Sequence, residues 1–166
     1  MSHPSVQWAR TVLSNPLEWA ILDTETTGFS GKDEVVQIGI YGVEETVLLD
    51  SLIKPRLVQR MPSRAYQVHR ISMEMLAGAP NLSAIEGELQ SALQGRRIIA
   101  YNAPFDARLL AQSAEVNGIG PFDLHWECAM KRYTQFSGSK RPLQGGDHSA
   151  IGDCIATLNL IKKMAV

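Results

Sequence analysis

Apolar residues in this chain come first as strand-like runs and later as helical stripes. Residues 6–13 carry them at helical spacing and stop at Asn15-Pro16, which predicts a short leading helix over about 5–14. Trp19-Ala20-Ile21-Leu22 is a continuous apolar run, the mark of a buried strand over about 18–23. Val35, Val36, Ile38 and Ile40 define a second strand within 34–43, and a third branched run covers 46–53. Only Gly42 to Glu45 lies between these two, so the sheet should begin antiparallel with hairpin-length links.

Past residue 70 the pattern changes. A short helix is expected at 72–76, stopped by Gly78-Ala79-Pro80. A second, over 83–93, aligns Ile85, Leu89 and Leu93 at four-residue spacing. Residues 97–100 read as a short buried strand, 104–116 as a helix, and a fifth strand is expected near 122–126. The polar, glycine-rich stretch 135–146 reads as a mobile loop. A last helix over about 148–164 puts Ile151, Ile155, Leu158 and Ile161 on its inner stripe. Strands first, then helices alternating with two more strands, predict one α/β domain: a five-stranded mixed sheet with helices on both faces.

Composition narrows the function classes. With 16 Lys and Arg against 17 Asp and Glu, the net charge is −1. A protein that coats nucleic acid by bulk electrostatics is therefore not expected, while an enzyme meeting a few nucleotides at a metal site is not excluded. The pairs Arg96-Arg97, Lys131-Arg132, Lys140-Arg141 and Lys162-Lys163 read as solvated surface charge. No apolar run approaches the roughly 20 residues of a membrane helix, so no membrane association is expected. Met1-Ser2-His3-Pro4 lacks the basic start and apolar stretch of a signal peptide. Cys128 and Cys154 are too few for a disulfide framework and read as buried thiols; a cytoplasmic location is the simplest expectation.

The candidate chemistry begins at Asp23-Thr24-Glu25-Thr26-Thr27-Gly28, directly after the first strand's apolar run. Side chains alternate along a strand, so Asp23 and Glu25 point the same way at its end, before a Thr-Thr-Gly turn. Two crowded carboxylates raise each other's proton affinity unless a cation sits between them, and an oxygen-only site suits Mg²⁺ or Mn²⁺. Tyr101-Asn102-Ala103-Pro104-Phe105-Asp106 places Asp106 in a first helical turn, where acids are also common for the dipole alone. His148-Ser149-Ala150-Ile151-Gly152-Asp153 opens the last helix, with His148 able to swing over the same end.

Taken in order, these motifs resemble the DEDDh 3′→5′ exonucleases, the group of the polymerase III epsilon proofreading subunit, ribonuclease T and oligoribonuclease. Asp-x-Glu-Thr-Thr-Gly matches at 23–28, Tyr-Asn-x-x-Phe-Asp at 101–106 and His-x-x-x-x-Asp at 148–153; His69-Arg70-Ile71-Ser72 is similar to an intermediate His-Gly-Ile-Thr segment, with Arg70 for the usual Gly. The resemblance spans roughly 17–164. It implies a ribonuclease-H-like fold and two divalent cations held by four carboxylates. Asp23 would touch both, Glu25 and Asp153 the nucleophile-side ion, and Asp106 the other. His148 would take the proton of the attacking water rather than bind metal. The backbone at Thr26, Thr27 and Gly28 would meet the terminal 3′-hydroxyl, and Phe29, His69, Asn102 and Phe105 would line the pocket of the last nucleotide.

The implied activity is hydrolysis of single-stranded DNA or RNA from the 3′ end, releasing nucleoside 5′-monophosphates. Alternatives are oligoribonuclease-like action on short RNA, or an idle binding domain of the same fold. The stretch before His148 departs from the family, whose members carry a helical segment there; His148 is therefore expected to be poorly ordered without nucleotide. The chain reads as a stand-alone domain of 1–166, and neither polymerase association nor oligomeric state is legible.

Overall fold

A computed structural model describes residues 3–166; Met1 and Ser2, part of the start read above for a signal peptide, lie outside it. Five strands form one sheet: β1 (Trp19–Thr26), β2 (Val35–Gly42), β3 (Thr46–Leu52), β4 (Arg97–Ala100) and β5 (Trp126–Cys128), in the order β3-β2-β1-β4-β5. The β1–β2 and β2–β3 pairs are antiparallel, while β4 joins β1, and β5 joins β4, in parallel. The antiparallel start follows from the hairpin links, since a parallel pair needs a crossover.

Alternation along β1 divides the core into two layers. Ala20 and Leu22 face one side and pack with Leu89, Leu93, Leu109 and Leu110 of α4 (Glu86–Leu93) and α5 (Ala103–Val116). To reach these elements the chain passes α2 (Ser63–His69) and α3 (Met73–Leu76). Trp19 and Ile21 face the other side, against Trp8, Ala9 and Val12 of α1 (Pro4–Ser14) and Cys154, Leu158 and Ile161 of the terminal helix. The three-layer arrangement is the ribonuclease-H-like α/β architecture expected above. Among the described residues no helix is long and apolar enough to cross a membrane.

Several expectations are corrected. β1 does not stop at residue 23: it continues to Thr26 because β2 pairs with it as far as Val35, across an irregularity at Glu25/Thr26. Asp23 and Glu25 are thus within the strand. The fifth strand lies at 126–128, not 122–126; Phe122 and Leu124 pack on the core from the preceding loop.

Two helices carry no sequence signal. α2 has no buried residue, and α6 (Ala129–Ser137) buries only Ala129. Apolar periodicity cannot reveal helices that hide almost nothing. α6 takes in 135–137 of the stretch read as loop and ends where Gly138 adopts φ 76°. A helix therefore does stand ahead of the third motif, and the irregular segment begins at residue 138. The chain then enters α7 (Ala150–Met164).

Candidate active site

Along β1 the odd-numbered side chains face α7, so Asp23 and Glu25 follow Trp19 and Ile21 toward that helix. Asp153, in the first turn of α7, comes to meet them. One carboxylate oxygen from each of Asp23, Glu25 and Asp153 lies within 4.8 Å of the other two. Asp106 approaches from α5. Its Oδ1 accepts hydrogen bonds from the backbone N–H and the hydroxyl of Thr24, at 3.1 and 2.8 Å. Asp106 stands outside the three-oxygen cluster, held by the even-numbered neighbour of Asp23.

The electrostatics are those of a charge deficit. Oδ2 of Asp23 is cut off from solvent and has no hydrogen-bond partner. Burial, then Asp106, Glu25 and Asp153, push the Asp23 carboxyl well above the usual range. Burial, then Asp153, Asp106 and Asp147, push Glu25 to about 8. Burial lifts Asp106 to about 7, against the opposing pull of the Thr24 hydrogen bonds. Asp153 is raised as well, by burial first. An unpartnered buried oxygen among raised carboxyls is what a bound cation would satisfy, and an all-oxygen donor set fits a hard divalent ion.

Two features bring α7 close enough. Gly39 of β2 pairs with Asp23 across the ladder. A Cβ there would stand 2.8 Å from the backbone carbon of Ala150 and 2.9 Å from the nitrogen of Ile151. Gln37 then receives the Ala150 N–H on its side-chain oxygen at 3.0 Å. Ser149 caps the helix by accepting from Gly152 N–H, and its own N–H and hydroxyl donate to Asp147. His148 is exposed at φ 59° and gives its backbone N–H to Asp153 Oδ1 at 3.2 Å. The third motif is thereby joined to the acids through its backbone, while the residue proposed to move a proton stays at the surface.

The turn after β1 is built around Asp33. Thr27 donates its hydroxyl to Asp33 Oδ1, and Ser30 donates N–H and hydroxyl to Oδ2. Burial raises this carboxyl, but those hydrogen bonds outweigh it and the net shift is downward. Phe29 is 76% exposed yet meets Phe105 at 5.7 Å between ring centres, and Arg108 donates to the Phe29 carbonyl at 2.7 Å. Asn102 precedes α5, exposed and with no side-chain hydrogen bond to the helix.

His69 accepts from Ile71 N–H at Nδ1, which leaves Nε2–H to donate to the Thr26 carbonyl at 3.0 Å. Burial lowers its pKa, against that hydrogen bond. With both nitrogens committed to backbone, only the ring faces remain for a nucleotide. Sequence reasoning named the four acids Asp23, Glu25, Asp106 and Asp153 but missed Thr24, Asp33, Gln37, Gly39 and Arg108. The acid six residues beyond Thr27 in a Ser/Gly turn was a usable signal for Asp33; the other four depend on contacts between distant segments.

Comparison with known proteins accords with this geometry. The exonuclease family RNase_T matches residues 20–161. The uncharacterized exonuclease CP81 of Escherichia phage 186 is 28% identical over 87% of this chain and 86% of its own. The DNA polymerase III subunit epsilon of Rickettsia conorii is 34% identical over 54% of this chain, which spans only 41% of that subunit. The nuclease domain of 3′hExo, a DEDDh family member solved bound to rAMP, superposes with a TM-score of 0.73 over 87% of this chain and 90% of its own; at 11% identity it speaks for the fold. The chain belongs to the exonuclease family RNase_T.

Proposed function

We propose that this protein removes nucleotides one at a time from the 3′ end of single-stranded DNA, with two divalent cations, Mg²⁺ or Mn²⁺, held by Asp23, Glu25, Asp106 and Asp153. The observation that carries this reading is the convergence of one oxygen each from Asp23, Glu25 and Asp153 within 4.8 Å of one another, beside a buried Oδ2 of Asp23 that has no partner. Such ions supply an activated water and neutralise charge on the leaving oxygen. The chain's own residues do the rest. Thr24 holds Asp106 at the edge of the cluster. The Phe29–Phe105 pair offers an exposed aromatic surface for the last base, a contact that tolerates any sequence. The backbone of 26–28, braced by Asp33, stands beside the acids to meet the terminal sugar. His148, an imidazole just ahead of α7, suits the general-base role of removing a proton from the attacking water. DNA is favoured because the chain resembles epsilon subunits over their first motif.

Purified protein should shorten 5′-labelled single-stranded DNA from the 3′ end in Mg²⁺ or Mn²⁺, and not in EDTA. Asp106→Ala should reduce the rate by at least about 100-fold, since a group supporting a metal costs roughly 10–100-fold and a direct ligand more. A matched RNA strand degraded faster than the DNA would move the assignment toward oligoribonuclease-like turnover. Strands left intact in both metals would sink the catalytic reading.

Loading the site should also expel protons. At pH 7 Glu25, with its pKa near 8, and Asp106, near 7, still hold much of their protons in the metal-free protein. Binding requires carboxylates, so roughly one to two protons should leave per site filled, and affinity should tighten as pH rises from 6 to 8. Titration calorimetry in buffers of different ionisation enthalpy measures this directly; a heat independent of buffer would contradict it.

A further inference from the structure

From Lys54 to Arg70 the chain contains no acid. Lys54, Arg56, Arg60, Arg64 and Arg70 lie there, five of the 16 basic residues, while the other 11 share the chain with all 17 acids. All five are exposed, and among the described residues none forms a salt bridge or donates a side-chain hydrogen bond. Arg96, Arg97, Arg132 and Lys162, elsewhere, each pair with a glutamate. A concentration of unpaired cations in an otherwise acidic protein is self-repelling unless an anion covers it.

Both ends of this segment are tied to the active-site turn. Glu34, buried at 2% exposure, accepts the N–H groups of Arg56, Leu57 and Val58 at 2.7–2.9 Å, and its carbonyl accepts from Thr27 N–H. At the other end His69 holds the Thr26 carbonyl. Arg70 sits at φ 60°, a backbone region costly to any side chain, with its guanidinium 5.6 Å from the ring centre of exposed Tyr66. Strain retained at a cation beside an exposed aromatic points to use rather than to packing.

We propose that residues 54–70 form a track for single-stranded DNA, the cations holding the phosphodiester backbone upstream of the nucleotide at the acid cluster and Tyr66 serving as a platform for a base. The inference rests on the nuclease reading above: the cations at the acid cluster serve the reacting phosphate, and charge on the attached segment would hold the phosphates upstream of it. Each phosphate neutralised on a single strand contributes about −0.7 to the slope of log K against log salt.

Fluorescence anisotropy of a labelled oligothymidylate in EDTA tests the track without any demand on catalysis. Arg60→Ala/Arg64→Ala should weaken binding on the order of 20-fold at 0.1 M salt and flatten the salt slope by about 1.4. Arg70→Gly should bind roughly 5-fold more weakly, by the loss of one such contact, yet melt no lower than the parent because the strained backbone is relieved. Lys163→Ala, at the far end of α7, is the charge-matched control and should bind as the parent does. If the double variant melts lower, Arg70→Gly decides alone. Affinity and slope unchanged in the arginine variants would overturn the track, as would tighter binding of oligouridylate overturn its assignment to DNA. Absence of hydrolysis with these binding changes intact would count against the proposed reaction and leave the track standing.

Discussion

Asp23→Asn should abolish at least about 1,000-fold of the nuclease rate and, in EDTA at pH 8, make the protein melt higher. The rate falls because Asp23 neighbours all three other acids: it shares the three-oxygen cluster with Glu25 and Asp153, and Asp106 is its strongest charged neighbour. A direct ligand should cost more than the roughly 10–100-fold of a supporting residue. Stability rises because the wild-type chain buries an unpartnered oxygen among like charges, whereas an amide can donate to the carboxylates beside it. About 1 kcal/mol relieved corresponds to roughly 2–4 °C at this size.

The pH dependence follows from the direction of the shifts. Glu25 goes from 4.5 to about 8 on folding, so the folded state keeps a proton that the unfolded chain has lost. Metal-free stability therefore falls as pH rises through that window, and the advantage of Asp23→Asn should shrink toward pH 5. Calorimetric melts across pH 5–8, with and without Mn²⁺, check both signs. A variant that melts lower at pH 8 in EDTA would show that the carboxylate is not under repulsion.

Gly39→Val should have the second largest effect, at a residue with no chemistry of its own. Its Cβ would stand 2.8–3.0 Å from backbone and Cβ atoms of Ala150 and Ile151, which a rigid helix cannot clear by rotating a side chain. The first turn of α7 must back away, carrying Asp153 from Asp23 and Glu25 and straining the Gln37 hydrogen bond to Ala150. A displacement near 1 Å costs on the order of 100-fold in rate. Overpacking itself costs about 1–3 kcal/mol, so the protein should remain folded. Mn²⁺ affinity measured by electron paramagnetic resonance should fall with the rate. Full activity in Gly39→Val would refute the claim that this contact sets the site.

The central strands, the terminal helix and the acids of all three motifs were legible in the sequence because each carries a local signature. Apolar runs mark buried strands, Leu158 and Ile161 mark the inner side of α7 although Ile155 of the expected stripe is exposed, and the acids sit beside boundaries that Pro, Gly and Ser define. α2 and α6 were not legible, since between them only Ala129 is fully buried. The length of β1 was misread for a related reason: its last residues owe their strand form to β2, and nothing in 23–26 announces that partner.

By itself, then, the sequence determined the layered α/β plan, the identity of the acids and the aromatic and histidine residues around them. Only the tertiary structure decided how these meet. It gathers Asp23, Glu25 and Asp153 into one cluster, fastens Asp106 to Thr24, and spends both nitrogens of His69 on backbone. It also ties an acid-free segment to the active-site turn through Glu34. The physical reason is range. Residue type and spacing report on a strand or a turn of helix, whereas a carboxylate's partners and proton affinity are set by atoms within a few ångströms that arrive from distant parts of the chain.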